Sequence, residues 1–318
     1  MNALVIGAGG FVGTYLLRQL LEEGYAPAAT KLPHETLRLD GAEVFDLDLG
    51  DQDAVHDLLA QHRPAYIYHL AAQSSVAASW KHPELTVDVN IKGTLHLLEA
   101  VRCIPDYHPR ILLVGSGEEY GWKGADAVTE TQALRPMNIY AVTKACQNML
   151  GSVYAQGYGM DIVMVRAFNH FGVGQSPAFV AADFALQIAE IEAKRREPVM
   201  RVGNLTAKRD FSDVRDVVRA YTMLMQKGIA GETYNVGSGK AVSIQTLLDI
   251  LLHLSTASVT VEQDAAKMRP ADVPCIEADI TKLRRDTGWN PIYPPEETLR
   301  TMLDYNRRNF GLIGKDTS

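Results

Sequence analysis

Apolar positions along the chain fall into two alternating spacings, and the alternation predicts an α/β protein. ALVIG (3–7) is an unbroken apolar run of strand length. FVGTYLLRQLLEEG (11–24) then carries apolar residues at helical spacing and closes on Gly24, a suitable C-cap. The same reading predicts further strands over 27–30, 42–48, 65–71, 110–116 and 161–168. It predicts helices over 54–62, 86–103 and 140–159, the second with Gly93 inside it. Apolar strands alternating with helices need cover on both faces, so the expected fold is a Rossmann-type doubly wound parallel sheet. Beyond residue 170 the pattern loosens into Gly- and Pro-rich stretches such as HFGVGQSP and KMRPADVP. A smaller, interleaved C-terminal substrate-binding domain is expected there. The division reads 1–168 plus about 208–238 for the first domain, and 169–207 plus about 239–318 for the second. Segment 211–236 is expected to return to the main sheet.

Composition narrows the classes. The chain has 318 residues with a formal net charge of −7, which gives no general attraction to nucleic acid or an anionic membrane. Any anionic ligand then needs a local cationic site. Cys103, Cys146 and Cys275 are far apart and form no C-x-x-C pair, which fits a reducing cytoplasm and no metal framework. The opening MNALVIGAGG has no basic segment and predicts no secretory leader, and no apolar run is long enough to span a bilayer.

GAGGFVG supplies Gly7, Gly10 and Gly13, with Gly9 between, after a strand and at the opening of a helix. Glycines permit the tight turn and let backbone N–H groups approach a pyrophosphate at the helix N-terminus. Strand, helix and glycines agree on a dinucleotide site rather than a merely flexible turn. An NAD site usually places an acid at the end of the second strand for the ribose 2′-hydroxyl. Thr30 and Lys31 stand there instead and suit a 2′-phosphate, so NADPH is expected, with NADH as the alternative and Lys31 as an ordinary solvated lysine as the plain reading. Asp48 and Leu49 fall where an adenine edge would lie, although Asp48 could equally cap the following helix.

Tyr140 and Lys144 form Y-x-x-x-K on one helix face. A free tyrosine has a pKa of about 10, and a nearby ammonium lowers it, which would make Tyr140 a proton donor to a carbonyl oxygen. Ser116, at the end of the fifth strand, could hydrogen-bond the same carbonyl, or could only form a turn.

GAGGFVG, HLAAQSSV, N-x-x-G-T (Asn90 to Thr94), GSGEEYG, YAVTK and RAFNHFGVGQ together resemble the extended short-chain dehydrogenase/reductases. VGNLTAKRDFSDVRDVVRAY, YNVGSG and RPADVP resemble the branch that handles GDP-6-deoxy sugars. The resemblance implies that Phe11, Val12, Leu70, Ala71 and Ala72 line the cofactor with the glycines. It implies that Tyr140 is the acid/base and also touches the cofactor, that Lys144 binds the nicotinamide ribose and tunes Tyr140, and that Ser116 orients the sugar carbonyl. Asn169 would touch the diphosphate or sugar, Arg209 and Arg269 would clamp the diphosphate, Asp272 would meet a ribose hydroxyl, and Val202 and Asn204 would lie near the base. Surface charge or ion pairing is the plain alternative for each arginine, and the preferred one for Arg215. A homodimer through helices at about 86–103 and 139–156 is expected by the same analogy, or those faces are intrachain core.

Sugar-nucleotide dehydratases of this superfamily need an extra acid and base just after the strand-five hydroxyl. Gly117 and Glu118 stand there. Gly117 cannot protonate a leaving hydroxyl and is expected to serve a turn of positive φ, while Glu118 remains a candidate base. The expected activity is therefore NADPH-dependent reduction of the C4 ketone of GDP-4-dehydro-6-deoxy-D-mannose to GDP-D-rhamnose, in nucleotide-sugar synthesis. Dehydration of GDP-mannose, another epimerase or reductase, and a non-catalytic NADP-binding sensor are the alternatives.

Overall fold

A computed structural model describes residues 2–37, 39–121, 124, 126–267 and 274–314. Its strands are β1 (Asn2–Ile6), β2 (Ala26–Lys31), β3 (Glu43–Asp46), β4 (Tyr66–His69), β5 (Arg110–Ser116), β6 (Ile162–Ala167), β7 (Asn169–Phe171), β8 (Val199–Val202), β9 (Lys208–Asp213), β10 (Thr233–Val236), β11 (Ala241–Ser243), β12 (Thr260–Gln263) and β13 (Cys275–Ile276). Its α-helices are α1 (Phe11–Glu22), α2 (Gln52–His62), α3 (Val76–Lys81), α4 (Pro83–Val87), α5 (Gly93–Cys103), α6 (Ile139–Tyr158), α7 (Val180–Glu192), α8 (Val214–Lys227), α9 (Ile244–Leu254), α10 (Thr281–Thr287) and α11 (Pro295–Asn309).

Among the described residues, seven strands form one parallel sheet in the order β10-β6-β5-β4-β1-β2-β3. The chain turns from one half of the sheet to the other between β1 and β4, where a doubly wound fold opens its ligand crevice. Leu16, Leu17 and Leu20 of α1 pack with Val217, Tyr221 and Leu224 of α8 against one face. Val55 and Leu59 of α2 pack with Leu97, Leu98 and Val101 of α5 against the other. The expected strands and helices of the first half are present, with shifted ends. The helix expected over 86–103 begins earlier, at Pro83, and loosens into a π turn at Asp88–Lys92. Gly93 leaves room for Leu49, whose Cβ would lie 3.0 Å from a methyl group added there.

A second core of Phe171, Phe184, Ile188, Leu247, Leu251 and Leu303 joins α7, α9 and α11. Strand β9 pairs with β11, β13 and β7 in a separate small sheet. Segment 211–236 therefore returns to the main sheet only from Val214 onward: Phe211–Asp213 hydrogen-bonds in the small sheet, whereas α8 and β10 join the large one. Late in the chain, Leu283 and Trp289 are buried against α8 in the core of the main sheet. No helix among the described residues is long and apolar enough to cross a membrane.

Candidate active site

The glycine loop between β1 and α1 is shaped by close backbone approach. Gly7 has φ +82°, and a methyl group added to it would lie 2.6 Å from the Ala71 backbone. The Leu70 and Ala71 N–H groups both donate to the Ile6 carbonyl at 3.0 Å, which presses the end of β4 onto the loop. A methyl group on Gly13 would lie 2.5 Å from the Ala8 backbone. Gly10 gives α1 no side-chain cap, and its first turn carries no acid. Such a cradle fits a pyrophosphate, because free N–H groups and the positive helix end face the anion. Phe11 stacks on His170 with ring centroids 6.2 Å apart, tying the loop to the segment carrying Asn169. Val12 packs on the main core.

At the end of β2, the structure gives Thr30 and Lys31 other work. The Thr30 hydroxyl is buried and accepts the Gly7 N–H at 3.2 Å, so it braces the loop. The Lys31 ammonium is paired with Asp46 on β3. Asp48 does not cap α2: Asp51 does, accepting the Ala54 N–H at 3.0 Å, while Asp48 accepts from Gly50 N at 2.8 Å. Leu49 is buried, and its carbonyl accepts from His96 Nδ1 at 2.7 Å.

Helix α6 starts at Asn138, whose side chain accepts the Ala141 N–H at 2.8 Å. Gly151 lets it lie close on β5, since a methyl group there would meet Leu113 at 2.7 Å. That approach brings the Tyr140 hydroxyl to the end of β5, beside the Ser116 side chain, which pulls its pKa down. Glu118 accepts from Asn138 Nδ2 at 3.2 Å, beside the same pair. The structure thus gathers Ser116, Glu118 and Tyr140. Lys144 is buried one turn on and donates to the Val114 carbonyl at 2.7 Å and to Gln147 Oε1 at 2.9 Å. The tuning expected from the Y-x-x-x-K spacing is not observed. Burial pushes the Tyr140 phenol up, the Ser116 hydrogen bond pulls it down, and Glu118 and Glu119 add to the rise. Burial also pushes Lys144 down, to about 8.

Gly117 does not have the expected positive φ. A side chain there would instead crowd the Phe168 ring, 3.2 Å from the added carbon. Behind it lies a cluster that sequence reasoning missed. Glu119 is fully buried and accepts from Ser116 N at 2.7 Å, Asn148 Nδ2 at 2.6 Å and Arg166 Nε at 3.0 Å. Burial pushes its carboxyl up, and Arg166 pulls it back. The signal was Arg166 itself, a charge inside the apolar run DIVMVRAF that must find a partner once buried.

The substrate-side residues divide. Asn169 pairs in register with Phe211, two residues after Arg209 on β9, so β7 and β9 bring Asn169 and Arg209 onto neighbouring strands. Arg209 is buried and donates to the Lys208 carbonyl at 2.8 Å. Val202 points into the second core and is 1% exposed, so only its backbone could meet a base. Asn204 folds back on Thr206, accepting its N–H at 3.0 Å. Arg215 is engaged as an ion pair with Asp213 and Glu297. Arg269 and Asp272 lie outside the described residues.

The sequence profile described as GDP-mannose 4,6 dehydratase matches residues 4–302. The chain belongs to the GDP-mannose 4,6-dehydratase family. Within reach of that family lie proteins of more than one activity. GDP-6-deoxy-D-mannose reductase of Pseudomonas aeruginosa is 32% identical over 94% of this chain and 95% of its own length. GDP-mannose 4,6-dehydratase of Yersinia enterocolitica is 30% identical over 95% of this chain and 92% of its own. The structure of RMD from Pseudomonas aeruginosa complexed with NADPH superposes with a TM-score of 0.87 at 31% identity, covering 97% of this chain and 100% of that one. This member of the GDP-mannose 4,6-dehydratase family is accordingly a nicotinamide-dependent enzyme of the nucleotide-sugar reductase, dehydratase and epimerase group.

Proposed function

We propose that the chain reduces the C4 ketone of GDP-4-dehydro-6-deoxy-D-mannose to GDP-D-rhamnose with NADPH. The observation that carries the reading is the placing of the Tyr140 phenol beside the Ser116 hydroxyl at the end of β5, next to Gly117. It provides a proton donor for a C4 oxygen and no side chain at 117 to expel a hydroxyl. The bound reductant supplies the hydride. Tyr140 gives its proton to the C4 oxygen, and Ser116 hydrogen-bonds the same oxygen as charge develops there. Asn169, Arg209 and, outside the described residues, Arg269 would hold the diphosphate, because an arginine fork matches phosphate oxygens. The glycine loop, Thr30 and the end of β4 would hold the cofactor. The Pseudomonas reductase and its NADPH complex support substrate and cofactor. Coupled synthesis tests the assignment: GDP-mannose, a known dehydratase, NADPH and this protein should yield GDP-D-rhamnose by NMR. Accumulation of unreduced ketosugar would refute it.

The pH profile follows from the two buried groups. Tyr140, pushed up, stays protonated through neutral pH, so it does not limit the acid step there. Lys144, whose ammonium we propose holds the nicotinamide ribose, is pushed down to about 8 and loses that charge as pH rises through that value. The kcat/KM for the ketosugar is expected to be level below neutrality and to fall with a midpoint of about 8. A profile that stays flat up to the free-tyrosine value of about 10 contradicts this role for Lys144.

We also propose a cytoplasmic homodimer and a two-domain division like that given above, with β9 moved to the second domain and α10 and Trp289 to the first. Exposed Trp80, Leu85, Val142, Met149 and Val153 lie on α3, α4 and α6, three helices that pack on one another. Such an apolar surface is what a twofold interface buries. Light scattering should give a dimer mass, and the double variant Met149→Asp/Val153→Asp a monomer mass; a wild-type monomer overturns the proposal.

A further inference from the structure

In dinucleotide sites of this type a carboxylate at the end of the second strand takes the ribose 2′-hydroxyl. That position is Lys31, whose ammonium is committed to Asp46 on the neighbouring strand and reaches the Leu32 carbonyl at 3.3 Å. The chain then turns back on itself. Glu35 N donates to the Leu32 carbonyl at 2.9 Å, and Glu35 Oε2 accepts from Leu32 N at 2.9 Å. The two bonds close residues 32–35 into a tight turn that aims the Glu35 carboxylate at the glycine loop. A methyl group added to Gly9 would lie 2.6 Å from Glu35 Oε2. A carboxylate is therefore present beside the loop, supplied from four residues beyond the usual place. Glu35, Asp46 and Lys31 sum to one negative charge at the point where a 2′-phosphate would arrive.

We propose that Glu35 reads the 2′ position of the cofactor: it accepts the 2′-hydroxyl of NADH and opposes the 2′-phosphate of NADPH, so the enzyme uses both. The proposal rests on the reading above that the dinucleotide lies on the Gly7–Gly13 loop. Gly9 is part of the device, since any side chain there would push the carboxylate away. Asp46 is the second part, because it withholds the Lys31 ammonium from an incoming phosphate.

The test measures dissociation constants for NADH and NADPH by their own fluorescence, with no sugar present, so it does not depend on turnover. The wild-type protein should bind both within about tenfold of each other, because the charge opposing the phosphate offsets its extra contacts. Glu35→Gln removes the charge and keeps the shape. It should shift the preference toward NADPH by about tenfold, the scale of one like-charge contact. Asp46→Asn should tighten NADPH through the released Lys31 and leave NADH unchanged. A preference within about twofold of wild type in Glu35→Gln, with both nucleotides bound and the ketosugar still reduced, overturns the role of Glu35 alone. Failure of the wild-type protein to bind either nucleotide overturns the role of Glu35 and the reductase reading together.

Discussion

Tyr140→Phe is expected to lower kcat/KM for the ketosugar by about 10²–10⁴-fold, the range of a positioned general acid. The change removes one hydroxyl. That hydroxyl lies beside Ser116, whose own hydroxyl is assigned to hold the C4 oxygen by a hydrogen bond and not to give up its proton. Glu118 sits beside the pair and accepts from Asn138 Nδ2 at 3.2 Å. Nicotinamide binding should be unchanged, because the glycine loop and the end of β4 do not involve the phenol. Paired measurements of kcat/KM and of NADPH affinity check the claim. A variant that keeps wild-type kcat/KM would show that the proton comes from elsewhere.

Glu119→Ala is expected to destabilise the fold by about 3–5 kcal/mol, because it strands a buried guanidinium. Arg166 would keep its hydrogen bonds to the Tyr120 hydroxyl at 2.9 Å and the Glu130 carbonyl at 3.1 Å, and its place over the Tyr120 ring. It would lose its counter-charge in a region sealed on all sides. Ser116 N and Asn148 Nδ2 would lose their acceptor as well, each adding an unsatisfied donor. Denaturant unfolding measures the loss. Replacing both partners with apolar residues, Glu119→Leu with Arg166→Met, should recover much of it, since a buried ion pair is often no more stabilising than well-packed hydrophobics. A Glu119→Ala protein as stable as wild type would show that the pair is already solvated.

The large sheet was legible because its strands are apolar on both faces and its helices are amphipathic, so two periodicities separate cleanly. The small sheet was not. Strand β9, KRDFSD, is mostly polar, and its polar side chains are buried on distant partners: Asp210 accepts from Ser238 N at 2.6 Å and Ala278 N at 3.1 Å. Nothing local in the sequence signals those pairings. The Ser116–Tyr140 pair was legible from order and spacing, because a strand end and the next helix must meet in this fold. The state of Lys144 was not, since helical spacing fixes which face a side chain leaves from but not where a four-carbon stem ends. Gly117 was misjudged for a similar reason: the crowding comes from Phe168, fifty-one positions away, and not from its own backbone angle. Glu35 was not legible because it lies four residues past the strand end, and the turn that returns it to the loop is a tertiary feature.

The most direct measurement is a cofactor balance on the purified protein. Given the 4-keto sugar nucleotide, the protein should oxidise one reduced nicotinamide for each sugar consumed and leave the equatorial C4 hydroxyl of GDP-D-rhamnose, which NMR identifies. Given GDP-mannose under the same conditions, it should consume no cofactor and release no ketosugar. Steady formation of ketosugar from GDP-mannose with the reductant untouched would mean that elimination occurs despite Gly117, and the reductase account would be wrong.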